Sequence, residues 1–171
     1  TGGCRSRGGV RLADALGHAI EPPVPSLFTF HVKSTWLREL PGVTLESVAL
    51  SVPEARLEER GALLITHEGL SGPAVLRLSA WGARSLHDLD YRFALHVDWL
   101  PDLDRDKVAA ELASRRDTMP KRLVANAPLH PIPARLWRAL VAAAGIAPET
   151  RWSELSRAAA RALAAQLNDT E

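Results

Sequence analysis

The chain has 171 residues, 46% hydrophobic and 24% charged, with 21 basic and 20 acidic residues and a net charge of +1. That length suits one sizeable core or two small subdomains, and the balanced charge argues against nucleic acid or an anionic membrane as a partner. The single cysteine, Cys4, excludes an internal disulfide framework and a cysteine-based zinc site and fits a reducing, cytoplasmic setting, while no apolar run approaches the ~20 residues of a membrane span.

In chain order, GVRLADALG (9–17) predicts a short helix closed by Gly17. EPPVP (21–25) is a stiff, extended connector, because its prolines fix φ and cannot donate hydrogen bonds. SLFTFHVK (26–33) alternates Leu27, Thr29 and His31 with Phe28, Phe30 and Val32 and predicts a strand. VTLESVALSV (43–52) predicts a second strand. LEERGALLITH (57–67) fits either a pair of strands around Arg60-Gly61 or one bulged strand.

THEGLSGPAVLRLS (66–79) comes next. Pro73 suits the first turn of a helix near 73–84, with Ser71 or Thr66 as its cap and Ala74, Leu78 and Trp81 on one face. Ala74, Leu76, Leu78 and Ala80 also alternate as in a strand, but the proline and the length favour helix. YRFALHVDWL (91–100) predicts a further strand with Phe93, Leu95 and Val97 on one side.

Composition shifts at Pro101. Residues 1–101 hold 10 alanines and 8 valines, whereas residues 102–171 hold 17 alanines and 3 valines. Valine favours strands and alanine favours helices, so the fold class is α+β with the two kinds of structure segregated. Past Pro101, Asp102 or Asp104 caps a helix over 105–116 with Val108 and Leu112 inward. A short helix follows within 119–129, starting at Pro120. Another starts at Pro133, with Leu136, Trp137, Leu140 and Val141 inward, and closes at Gly145. The last spans 153–167 with Leu155, Ala159, Ala162 and Leu163 on one stripe.

The motifs carry little side-chain chemistry. The opening TGGCRSRGG has neither the G-x-G-x-x-G nor the G-x-x-x-x-G-K-[ST] spacing, and no strand precedes it. Six histidines (His18, His31, His67, His87, His96 and His130) share no metal-ligand spacing, so no metal site is expected. GLSGP departs from the G-x-S-x-G spacing of a nucleophile elbow. A Ser71–His67 pair at i, i+4 lacks an orienting acid, and a helix start offering free N–H groups is the better reading of the loop. The basic knot from Arg115-Arg116 to Lys121-Arg122 reads as a solvated helix face.

LGHAIEPPVPSLFTF (16–30), LLITHEGLSGPAVLRLS (63–79) and MPKRL (119–123) occur here in an order and spacing that resemble the bile-acid-inducible-N-like family, also called aminoacetone-oxidase-like. Its members are NAD(P)/FAD-dependent oxidoreductase flavoproteins. The resemblance covers almost the whole chain, and T-H-x-G-L-S-G-P-A is its most distinctive motif. It implies a translation-factor-like β-barrel followed by a small helical bundle, inserted into and here excised from a two-part flavin-binding domain. Residues 1–24 would be a remnant of that domain and a connector, 25–101 the barrel-like part, and 102–171 the helical part.

The resemblance further implies FAD, and possible NAD(P)H use, in the intact parent, with no cofactor expected in this piece because the G-x-G-x-x-G unit and the closing glycine-rich segment are missing. Thr1, Gly2 and Gly3 resemble the family's flavin-contacting ATGG segment. His67, Gly69, Ser71, Gly72 and Pro73 would form a loop facing the flavin or substrate. The expected partner is the missing flavin-binding domain, with self-association through the surface left bare, and no nucleic acid or membrane. The alternative is a stand-alone protein-interaction module without enzymatic activity.

Overall fold

The computed structural model describes residues 8–171; the Thr1–Gly3 flavin remnant expected from the sequence lies outside them. The fold is α+β, a curled five-stranded antiparallel half-barrel with helices packed around it. Its strands are β1 (Phe30–His31), β2 (Thr44–Val52), β3 (Leu57–Ile65), β4 (Gly69–Ser71) and β5 (His96–Asp98). They lie in the order β1-β4-β3-β2-β5, and every pair is antiparallel. Its helices are α1 (Gly8–Ala15), α2 (Thr35–Arg38), α3 (Pro73–Trp81), α4 (Ala83–Asp88), α5 (Arg105–Thr118), α6 (Ala134–Ala143) and α7 (Arg157–Asn168). Among the described residues no helix is long and apolar enough to cross a membrane.

The β2–β3 hairpin is the backbone of the sheet. Leu45, Val48, Leu50 and Val52 point into the core, although the step from Leu45 to Val48 breaks the two-residue period. The register explains this: Leu45 faces Leu63 while Val48 faces Gly61, so β2 carries one extra residue as a bulge that bends the strand. LEERGALLITH is therefore one strand, and the bulge belongs to its partner. The hairpin turns through a 3-10 turn, Pro53–Ala55, and a left-handed Arg56 at φ 53°. The α3 helix crosses behind the sheet, where Arg77 Nη2 donates to the Arg60 carbonyl at 2.6 Å and the Glu59 carboxylate at 3.1 Å.

Two predicted strands shrink. In 26–33 only Phe30–His31 pairs, because the Phe28 N–H donates to Ser79 Oγ on α3 at 3.0 Å and Leu27 turns to φ 56°. In 91–100 only His96–Asp98 pairs, since Asp90 and Tyr91 take left-handed φ values of 51° and 56° and residues 91–95 have no strand beside them among the described residues. The helix expected near 73–84 is α3, and after Gly82 the chain continues in a second helix, α4.

In the alanine-rich half, α5 is capped by Asp104, whose carboxylate accepts from the Lys107 N–H at 2.8 Å. Asp102 instead pairs with Arg60 at 2.7 Å across the surface. The short helix expected in 119–129 reduces to a 3-10 turn, Val124–Asn126, because Val124 O accepts the indole N–H of Trp137 and the Val124 N–H donates to Thr150 O. Pro133 stands at the N-cap of α6. The last predicted helix divides into a 3-10 turn, Trp152–Glu154, and α7, capped by Ser156 Oγ on the Ala159 N–H at 3.1 Å. One hydrophobic core runs through both halves, anchored by the fully buried Trp99, Trp137 and Trp152.

The end of α7 closes onto β5. The Trp99 N–H donates to Leu167 O at 2.9 Å, and Val97 and Thr170 exchange backbone hydrogen bonds of 2.8 and 3.0 Å. The Trp99 indole donates to Thr170 Oγ1 at 2.8 Å, which leaves this buried hydroxyl satisfied.

Gly69 and Gly72 are fixed by close backbone approach. A Cβ at Gly69 would stand 2.0 Å from Phe30 O and 2.8 Å from Val32 N, and one at Gly72 would stand 3.0 Å from Ala62 O and Leu64 N at φ 101°. Gly42, at φ 82°, has open space around its missing Cβ. Gly69→Ala is expected to cost about 3 kcal/mol or more, because only backbone can give way, whereas Gly42→Ala should cost about 1 kcal/mol from its φ alone. Urea unfolding of the two variants checks the order; equal losses would contradict the close-packing account.

Candidate functional site

The THEGLSGP loop joins β3 to α3 through β4. The Thr66 N–H donates to Gly69 O at 2.7 Å, and the Thr66 hydroxyl accepts from the Gly69 N–H at 3.1 Å. This leaves His67 and Glu68 exposed at the turn tip. Glu68 reaches within 3.9 Å of His31 Nδ1 on β1, with both side chains mostly in water, where such a pair contributes little.

Ser71 lies in β4 opposite Leu64, and Gly72 rather than Ser71 or Thr66 is the N-cap of α3, with no side-chain cap bond. The expected hydroxyl cap is thus replaced by a glycine, because the Thr66 hydroxyl is engaged in the turn and Ser71 is held in the ladder. Pro73 occupies the first helical turn as expected. Ser71 ends β4, whereas His67 sits in the exposed turn before that strand begins, so the loop presents two separate features rather than one constellation.

Beside β1 lies a cleft of about 1300 Å³. It is the open seam of the half-barrel, between β1 and residues 91–97. All three phenylalanines and the only tyrosine line it. Phe28 meets Tyr91 edge-on at 5.7 Å, and Phe30 meets Phe93 at 5.2 Å across the seam. His31, Lys33, Arg92 and Glu171 supply its polar rim. The alternation at 28/30 and 91/93 is visible in the sequence, but the pairing of these two distant segments is a tertiary fact that no local pattern encodes.

A second, polar cleft of about 580 Å³ opens on the far side of β5. There His96 Nδ1 is 2.7 Å from Asp169 Oδ1. Asp98 accepts from the Leu100 N–H at 2.8 Å and from Asn168 Nδ2 at 3.3 Å. Burial raises the Asp98 pKa above its ordinary value, opposed by those two hydrogen bonds and by Arg60. These groups escape sequence reading because four of them, His96 and Asp98 on β5 and Asn168 and Asp169 at the α7 end, lie some seventy residues apart in the chain. The arrangement holds a histidine–aspartate pair, but each member also pins α7 to β5. Among the described residues no group of three or more His, Cys, Asp or Glu is placed to hold a metal ion.

A family model described as "HI0933-like protein barrel and H2TH domain" matches residues 24–171. The chain is 29% identical over 114 residues to the 3-dehydro-bile acid delta(4,6)-reductase of Clostridium scindens, covering 66% of this chain and 28% of the relative. It is 26% identical over 130 residues to the ribosomal RNA dihydrouridine synthase of Haemophilus influenzae, covering 75% of this chain and 29% of that relative. The chain thus spans less than a third of the length of either relative.

The raised Asp98 pKa has a sign that can be tested. A carboxyl that holds its proton more tightly when folded stabilises the fold at low pH, and this contribution is lost as pH rises from the unfolded value of about 3.9 through the folded one. Asp98→Asn keeps an acceptor for the Leu100 N–H and removes the charge. The stability difference between Asp98→Asn and the parent should therefore move in favour of Asn as pH rises through that window. A pH-independent difference in urea unfolding would contradict the burial account.

Proposed function

The chain belongs to the HI0933-like family of barrel and H2TH domains, and on that premise we propose that it forms the barrel-and-helix part of a longer FAD-dependent oxidoreductase, shaping the substrate side of the flavin and inactive by itself. The observation that carries this reading is a set of uncovered apolar side chains on α1 and at the end of α3. The α1 helix buries none of its residues, and Val10, Leu12 and Leu16 are 50%, 62% and 69% exposed. Trp81, at the end of α3, is 81% exposed. Large apolar side chains left bare in this way mark a docking surface. Its proposed occupant is the flavin-binding remainder of the same protein, and without that remainder the face would drive self-association.

The described residues do not form a dinucleotide cradle. All strand pairs are antiparallel, and among the described residues no parallel strand–glycine loop–helix unit is present. FAD would therefore be held by the remainder of the protein, and the redox chemistry would be that of the cofactor, with NAD(P)H as a candidate reductant. The activities named for both relatives saturate an unsaturated ring, which points to a flat ring with a carbon–carbon double bond next to a carbonyl as the substrate class. In this arrangement His67, with the β4 end at Ser71 and Gly72, contributes polar contacts on the substrate side.

The intact protein is expected to purify yellow, with about one flavin per chain. His67→Ala should lower kcat/KM about tenfold on a steroid 4-en-3-one, close to the loss of one polar contact, and leave the flavin spectrum unchanged. A colourless intact protein would falsify the oxidoreductase reading and favour a stand-alone module docking through α1. An unchanged kcat/KM with flavin present would remove His67 alone.

A further inference from the structure

The net charge of +1 conceals a segregation. Residues 115–161 hold nine of the 21 basic residues and three of the 20 acidic ones, leaving 12 basic and 17 acidic residues to the rest of the chain. The balanced sum therefore covers a positive stretch and a negative remainder. A charged partner meets the local field, not the sum.

The fold draws six of these cations to one corner. Leu123 and Arg151 form an antiparallel bridge, the Trp152 N–H donates to Arg122 O at 3.0 Å, and the Ser153 N–H donates to Pro120 O at 3.1 Å. Lys121, Arg122 and Arg151 thus lie within two ladder positions of one another. The Arg115 guanidinium sits over the Trp152 ring at 5.7 Å, which sets the end of α5, and Arg116 with it, beside the same turn. The α7 helix begins just after Trp152 and packs along α5, so Arg157 and Arg161 extend the cluster. Arg116 is half-buried and the other five are exposed. None of the six enters an ion pair among the described residues, whereas Arg60, Arg77, Arg84, Lys107 and Arg115 each have a carboxylate partner. Of the three acids in the stretch, Glu154 is turned back to accept the Arg151 N–H at 3.2 Å. Arg157 and Arg161 stand at i, i+4, a like-charge spacing that weakens a helix. A polyanion outside the fold would offset that repulsion.

We propose that this corner docks the phosphodiester backbone of a nucleic-acid duplex. Among the described residues, the exposed large apolar side chains all lie at or before residue 91. The corner therefore has nothing to insert into a membrane, and no bare aromatic on which an unpaired base could stack. Cations without aromatics fit a stacked duplex, which is held through its phosphates and its shape. The surface is built from α5, α7 and the turns between them and uses no residue of α1, β4 or Trp81. It goes beyond the oxidoreductase reading and stands without it.

Fluorescence anisotropy of the intact protein with a labelled hairpin RNA of roughly 20 base pairs, and with duplex DNA of the same sequence, tests this. With about four phosphates engaged, affinity should fall on the order of 100-fold between about 50 and about 200 mM salt. The triple variant Lys121→Ala, Arg122→Ala, Arg151→Ala should weaken binding about tenfold or more at low salt and reduce the slope of log K against log salt by about three. The exposed pair Arg157→Gln, Arg161→Gln should reduce it by about two, and covers the case in which the triple variant does not fold. Lys33→Ala with Arg92→Ala, on the rim of the aromatic cleft, should leave binding unchanged. Tighter binding to RNA or to DNA tells which duplex is read and supports the surface either way. Binding that ignores salt, that is equal in the variants and the parent, or that is confined to anionic vesicles overturns it. A colourless protein that still binds duplex removes the oxidoreductase reading alone. A flavin-loaded protein that binds neither duplex removes this surface alone.

Discussion

The helical half is held to the half-barrel at one short seam of hydrogen bonds, where Leu167–Thr170 runs against Val97–Trp99. Backbone bonds, the Trp99 indole on Thr170, and Asn168 on Asp98 and Leu103 all fall within four residues of α7's end. A shifted register of α7 on β5 would strip these buried donors and acceptors of their partners, and that cost holds α7 in this register. That register in turn places Thr170 at the mouth of the aromatic cleft and sets Asp169 beside His96. Elsewhere the two halves meet through packing, through Arg60 on Asp102, and through Arg135 on the Glu39 and Pro41 carbonyls. The exposed ion pair adds little by comparison.

What was legible in the sequence was whatever neighbours in the chain decide. The β2 and β3 strands declare themselves by alternation over nine residues each, and α5 by Asp104 ahead of an inward Val108 and Leu112. The valine-to-alanine shift anticipated a sheet followed by helices. Residues 26–29 and 91–95 were illegible because their fate depends on distant partners: Ser79 takes the Phe28 N–H, and no described strand lies beside 91–95. Residues 119–129 have helical composition, yet Val124 is committed to Trp137 and Thr150. In each case a long-range bond outweighed a weak local preference.

The THEGLSGP motif shows the same division. Its glycines looked like helix-start chemistry, and Gly72 does cap α3, but the sharper reason for Gly69 is the β1 backbone lying against it. A resemblance to the bile-acid-inducible-N-like flavoproteins was carried by this motif and two others, and the family match supports it. The placement of His67 in the turn before β4 and of Ser71 at the end of that strand was beyond any motif, since spacing in a loop does not say whether a strand will intervene.

The Val97–Thr170 bridge has a consequence for how the molecule can vary. Everything between these residues leaves and re-enters the sheet at neighbouring positions, one ladder spacing apart. The helical half is therefore an elaborated hairpin connection. Loop-closure entropy grows only with the logarithm of length, so lengthening or shortening that connection costs the sheet little. The half-barrel meets that connection at these two anchors, through the shared core and at the Arg60 and Arg135 contacts, and the helix surfaces that touch none of these are free to diverge while the sheet keeps its register.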